Sequence, residues 1–80
     1  MSKPLKSPSV PFADPARIDR QARQLTVAGL TAWQDSDWRT ADELFTNAGV
    51  AWDMIGDPLN ASACWASAER ASVLARSGES

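Results

Sequence analysis

From residue 15 onward, apolar or small residues return every three or four positions, which is the spacing of one helix face. Ile18, Ala22, Leu25, Gly29 and Ala32 form one such stripe. Ala41, Phe45, Ala48, Trp52 and Ile55 form a second, widened by Leu44 and Ala51. Ala61, Trp65 and Ala68 form a third, flanked by Cys64, Ala71 and Ala75. The middle stripe is the broadest, as expected of a helix held between two neighbours. Asp14-Pro15 and Asp57-Pro58 each place a carboxylate at a helix N-cap and a proline at the first helical position, where its missing amide is not needed. Asp37, ahead of Trp38, is a cap of the same kind without the proline. The pattern predicts helices over 15–34, 38–55 and 58–76, with Gly56 and Gly78 as left-handed stops after the second and third. Links this short force successive helices to run antiparallel. The expected fold is therefore all-α, with a domain over 14–77 and a tail over 78–80.

Residues 1–13 have a different character. They hold Pro4, Pro8 and Pro11, which lack the amide hydrogen that a helix or a central strand uses. The segment reads either as an extended arm, with Leu5, Val10 and Phe12 available to lie along a groove, or as a disordered tail.

Shifted by 20 residues, the chain partly superimposes on itself. Ala28-Gly29 falls on Ala48-Gly49, Asp37 on Asp57, Ala41 on Ala61, Phe45 on Trp65 and Ala48 on Ala68. Small residues let helix backbones approach closely, and an aromatic between them fills the adjoining hole. Ala61, Trp65 and Ala68 are thus expected to face Phe45, Ala48-Gly49 and Trp52. Ala41, Phe45 and Ala48 are expected to face Leu25, Ala28-Gly29 and Ala32. Over residues 25–70 the order Phe45, Ala48-Gly49, Trp52, Gly56-Asp57, Ala61, Trp65, Ala68 resembles the tetratricopeptide repeat. It is also similar to the helical repeats of soluble NSF attachment proteins. The chain departs from the family at Ala32, where an aromatic is usual, and in having no proline that closes the repeat after Ala68. The resemblance implies one and a half stacked repeats and a protein that holds another protein. Stacks of this kind usually need about three repeats to bury their faces, so an outer helix face here is expected to seek company.

Composition narrows the chemistry. Eighty residues make one small domain at most, with a thin core of its own. The single cysteine, Cys64, excludes an intrachain disulfide, and the chain has no histidine. Neither a metal-ligand constellation nor a glycine-rich phosphate loop is present, and Cys64 lacks a histidine base. No cofactor, metal or catalytic residue is assigned, and the chain is not expected to be an enzyme. The absence of a signal-like leader or a long apolar run points to the cytoplasm and away from membranes.

The net charge of −2 divides into +3 over residues 1–24 and −5 over the remainder. A nucleic-acid binder would be more basic than this. Arg17, Arg20 and Arg23 recur near the start of the first helix, where they oppose its dipole. They are candidates for an acidic partner or phosphate, or for pairing with Asp14 and Asp19. Trp33 and Trp38 fall outside the stacking stripes and form either a clamp around the 35–37 turn or exposed partner anchors. Trp52 and Trp65 are expected in the core. The partner-binding candidates are therefore Trp33, Trp38, Arg17, Arg20, Arg23 and Phe12. The expected function is a non-catalytic interaction module: an adaptor, chaperone-like protein or accessory subunit docking by an apolar helix face on another protein, a second copy, or both. The alternatives are a small inhibitor, such as an immunity or phage anti-defence (anti-CRISPR type) protein, and a structural minor subunit of an enzyme.

Overall fold

The computed structural model describes residues 14–79, which form α1 (Pro15–Gln34), α2 (Trp38–Met54) and α3 (Pro58–Glu79). The expected all-α, three-helix class is what forms. The arm expected over 1–13, with its candidate Phe12, lies outside the described residues.

Each helix starts where an aspartate supplies an acceptor to an otherwise unpaired amide. Ala16 N–H donates to the Asp14 carboxylate at 3.1 Å, Thr40 N–H to Asp37 at 3.4 Å and Asn60 N–H to Asp57 at 3.2 Å. The Asn60 side-chain amide adds a second bond to Asp57 at 2.8 Å.

The two turns repeat each other at a 20-residue step. Ser36 N–H donates to the Trp33 carbonyl at 3.0 Å, and Asp37 N–H to that of Ala32 at 2.8 Å. Correspondingly, Gly56 N–H donates to Asp53 at 3.0 Å and Asp57 N–H to Trp52 at 2.9 Å. Ser36 and Gly56 hold the left-handed backbone that closes such a helix end, with φ of 59° and 76°. Asp37 and Asp57 thus each close one helix through the backbone and open the next through the side chain. The glycine stop expected at Gly56 forms, and Ser36 takes the same role without a glycine. Gly78 does not stop α3, which continues through it to Glu79, so the boundary expected at 77 moves outward. Helix formation there requires only that nothing interrupt it, and no left-handed residue follows Ala75 among the described residues.

The helices pack as antiparallel neighbours, with α2 between the other two. Their core is built chiefly from alanine: Ala22, Ala41, Ala48, Ala61 and Ala71 are each 0 % exposed. Side chains this small bring backbones close together. The larger rings then sit over glycines. A Cβ on Gly29 would lie 3.0 Å from Cε1 and Cζ of Phe45. A Cβ on Gly49 would overlap the Trp65 indole, 2.7 Å from its Cε2. Phe45 and Trp65 stand 20 residues apart, as do their glycine seats. The facing pairs expected from the sequence therefore form at both seats. One expectation needs correction. Trp52 is buried, but Trp65 is 41 % exposed, because α3 is the last described helix and nothing described covers the outer side of that ring.

Two substitutions test this packing. Gly49→Ala should lower the unfolding free energy by about 1–3 kcal/mol, because the indole must leave its seat. In a Trp65→Ala background the same change should be neutral, or stabilising by about 1 kcal/mol through helix preference alone. Urea titrations of all four members of the cycle read this, and equal effects in both backgrounds would remove the ring-on-glycine contact as a constraint. Ser36→Gly should raise stability by about 1 kcal/mol by relieving the left-handed strain. It would appear as a higher urea midpoint with an unchanged slope.

Candidate interaction surface

The three helices meet at Thr26 of α1. Its hydroxyl donates to the Ala22 carbonyl at 2.8 Å, and its oxygen accepts from Trp52 Nε1 of α2 at 3.1 Å. Cys64 Sγ of α3 lies 3.7 Å from the same oxygen. Since the hydroxyl proton is already committed to Ala22, the thiol is the natural donor in that third contact. One short side chain therefore satisfies the indole N–H of a buried tryptophan and links all three helices. The free cysteine is a packing residue in this network.

Arg23 is drawn into the same region. Its Nε donates to Asp19 at 2.9 Å, and its guanidinium lies 5.8 Å from the centre of the Trp52 ring, within cation–π range. Asp19, Arg23, Thr26, Asp57 and Asn60, with the exposed Val27 and an edge of Trp52, line a cleft of mixed polar and apolar character on this flank of α1.

The opposite flank of α1 is apolar. Ile18 and Leu25 of α1 face Val50, Ala51 and Met54 of α2 across an open groove of about 490 Å³, edged by Arg17, Gln21 and Asn47. Val50 is 48 % exposed and Met54 59 %. These are large apolar side chains left outside the core and gathered in one place. Arg17 also borders a polar shelf with Arg20, Gln21 and Gln24.

The candidate residues are thus divided. Arg17 lines the apolar groove, Arg20 stands beside it on the shelf, and Arg23 turns to the other flank. Trp33 and Trp38 lie at the far end of the α1–α2 pair. Their rings meet edge to face at 5.1 Å and 82°, and Trp33 also meets Phe45 at 6.4 Å. This is the clamp around the 35–37 turn, and Trp33 is packed against the core. Sequence reasoning missed Val50, Met54 and Thr26. The first two carried a signal, as apolar residues off the core stripe of α2. Thr26 carried none, because a threonine inside a helix discloses its partners only after packing.

Among the described residues, no group of three or more His, Cys, Asp or Glu side chains is placed to hold a metal ion. No described helix is long and apolar enough to cross a membrane. The chain matches no protein-family model, no curated protein and no solved structure.

Thr26→Val should cost about 1–3 kcal/mol, because it keeps the shape while leaving the Trp52 N–H without an acceptor. Thr46, whose exposed hydroxyl reaches Asp42 at 3.3 Å, is the control. Thr46→Val should change the urea midpoint little, and equal losses at both positions would deny Thr26 its special place.

Proposed function

We propose that the chain is a non-catalytic protein–protein interaction module, tetratricopeptide-like in build, that docks by the groove between α1 and α2. The observation that carries this reading is the groove itself. Val50, Met54 and the half-buried Leu25 present apolar surface over a floor of Ile18 and Ala51, on a domain whose own core is mostly alanine. The recurrence of turn and ring seat at 20 residues supports the repeat-like build. Basic and polar side chains at the rim, Arg17, Gln21 and Asn47, suit an interface with a dry centre and a wet edge. The lone buried thiol is compatible with a reducing, cytoplasmic setting. Adaptor, inhibitor and minor-subunit roles would all use the same surface.

A photo-crosslinking residue at position 54 should give a discrete adduct in cells that produce the chain. The same residue at position 63, an exposed site on α3, should not. Val50→Glu should abolish the adduct without altering the helical circular dichroism spectrum, because that side chain is already exposed. Equal adducts at both positions, or one that survives Val50→Glu, would remove the groove as the docking surface.

A further inference from the structure

Resting on that docking reading, we infer that the groove takes a single α-helix of a different protein, one that presents small residues to Leu25 and carboxylates to Arg17 and Arg20. Each later helix of the stack lays one row on the helix before it: Ala41, Phe45 and Ala48 for α2, and Ala61, Trp65 and Ala68 for α3. Twenty residues earlier the same row on α1 is Gln21, Leu25 and Ala28. The described helices cover it only in part: Gln21 is exposed, Leu25 and Ala28 are half-buried, and Leu25 touches the core on one side while facing the groove on the other. The second wall repeats as well. Cys64, where α3 meets Thr26 of α1, corresponds to Leu44 of α2, and Ala51 follows seven residues on along the same helix face and lines the groove. The groove is therefore the place that a helix preceding α1 would take by the same step.

The seat geometry sets the occupant's surface. Phe45 and Trp65 each rest where the facing helix has no side chain. Leu25 stands in their position, so its counterpart must be glycine, alanine or serine for the backbones to come equally close. Charge sets the rest. Arg23 is paired with Asp19, whereas Arg17 and Arg20 make no ion pair among the described residues; Arg17 edges the groove and Arg20 stands on the adjoining shelf that shares Arg17 and Gln21 with it. Carboxylates on the incoming helix would complement them.

The same features disfavour the other occupants. A second copy stacked head to tail would bring Leu25 onto Glu69, which stands exposed 20 residues after Gly49 where the next seat should be. A second copy docked face to face would bring together two linings that carry Arg17 and no carboxylate, so neither copy would supply the charge the other lacks. The chain's own residues 1–13 carry Lys3 and Lys6, of the same sign as those arginines.

The test uses the full chain, isotopically labelled, and three stapled helical peptides of about 20 residues, long enough to be stably helical. One has an alanine-glycine seam flanked by glutamate, one the same seam flanked by lysine, and one a leucine seam flanked by glutamate. The first should bind saturably, move the amide resonances of Gln21, Leu25, Val50 and Met54, and weaken with salt. Met54→Glu should weaken it by about tenfold, the scale of a lost interface anchor. The Arg17→Glu, Arg20→Glu double variant should transfer preference to the lysine-flanked peptide. If the lysine-flanked or leucine-seam peptide binds the unaltered groove as well or better, this inference fails while the docking reading stands. Concentration-dependent self-association in sedimentation, reversed by Met54→Glu, would assign the groove to a second copy and sink the inference. So would resonance shifts at the same amides on deleting residues 1–13 that match those caused by the peptide. If no peptide binds and the chain stays monomeric, this inference falls, while the docking reading is decided separately by the adduct at position 54.

Discussion

The close approach of helix backbones at Gly29 and Gly49 is the contact on which the rest of the structure depends. A core whose fully buried members are alanines cannot fill the space between widely separated helices. It holds together only if the backbones come near, and then large rings can sit only where a neighbour has no Cβ. Phe45 and Trp65 take those two places. Phe45 becomes core because helices lie on both sides of α2, while Trp65 keeps an open face because α3 is outermost among the described residues.

The turns make that contact repeatable. In each one a left-handed residue ends a helix and the following aspartate starts the next, with matching hydrogen bonds at 32–37 and 52–57. Equal turns impose equal steps from helix to helix. The step also generates the groove: applied backward from α1, it defines a site flanked by Leu25 and Ala51 that no described helix fills. Fold and candidate function are thus consequences of one geometric rule. Glu69 breaks the rule at the other end, placing a charge where a third ring seat would fall.

Polar chemistry separates the two flanks of α1. On one side the polar groups of Thr26, Trp52, Cys64, Arg23 and Asp19 satisfy each other, and Val27 is the large apolar side chain left open among them. On the other, apolar side chains lie beside arginines with no carboxylate among the described residues to pair them. Three arginines at three-residue spacing look alike in a list of residues. Their helical phase turns each by about 60° from the last, which leaves Arg17 at the groove, sends Arg23 to the other flank and sets Arg20 between them on the shelf.

Local rules accounted for much of the architecture. Asp14, Asp37 and Asp57 cap whatever helix follows them, Gly56 accepts positive φ at little cost, and the alanine stripes repeat with the helical period. Those are short-range properties, so helix number, most boundaries, antiparallel order and both ring-on-glycine pairs were legible without coordinates. Other features depended on atoms far apart in the chain. Ser36 adopts the left-handed turn because flanking helices hold it there, and Gly78 stays helical for want of anything to end α3. Trp65 is half-open, Thr26 joins three helices, and Val50 and Met54 meet Ile18 and Leu25, all through distances set by packing. Periodicity tells a residue which way to point, whereas only the assembled helices decide whether another surface is waiting there.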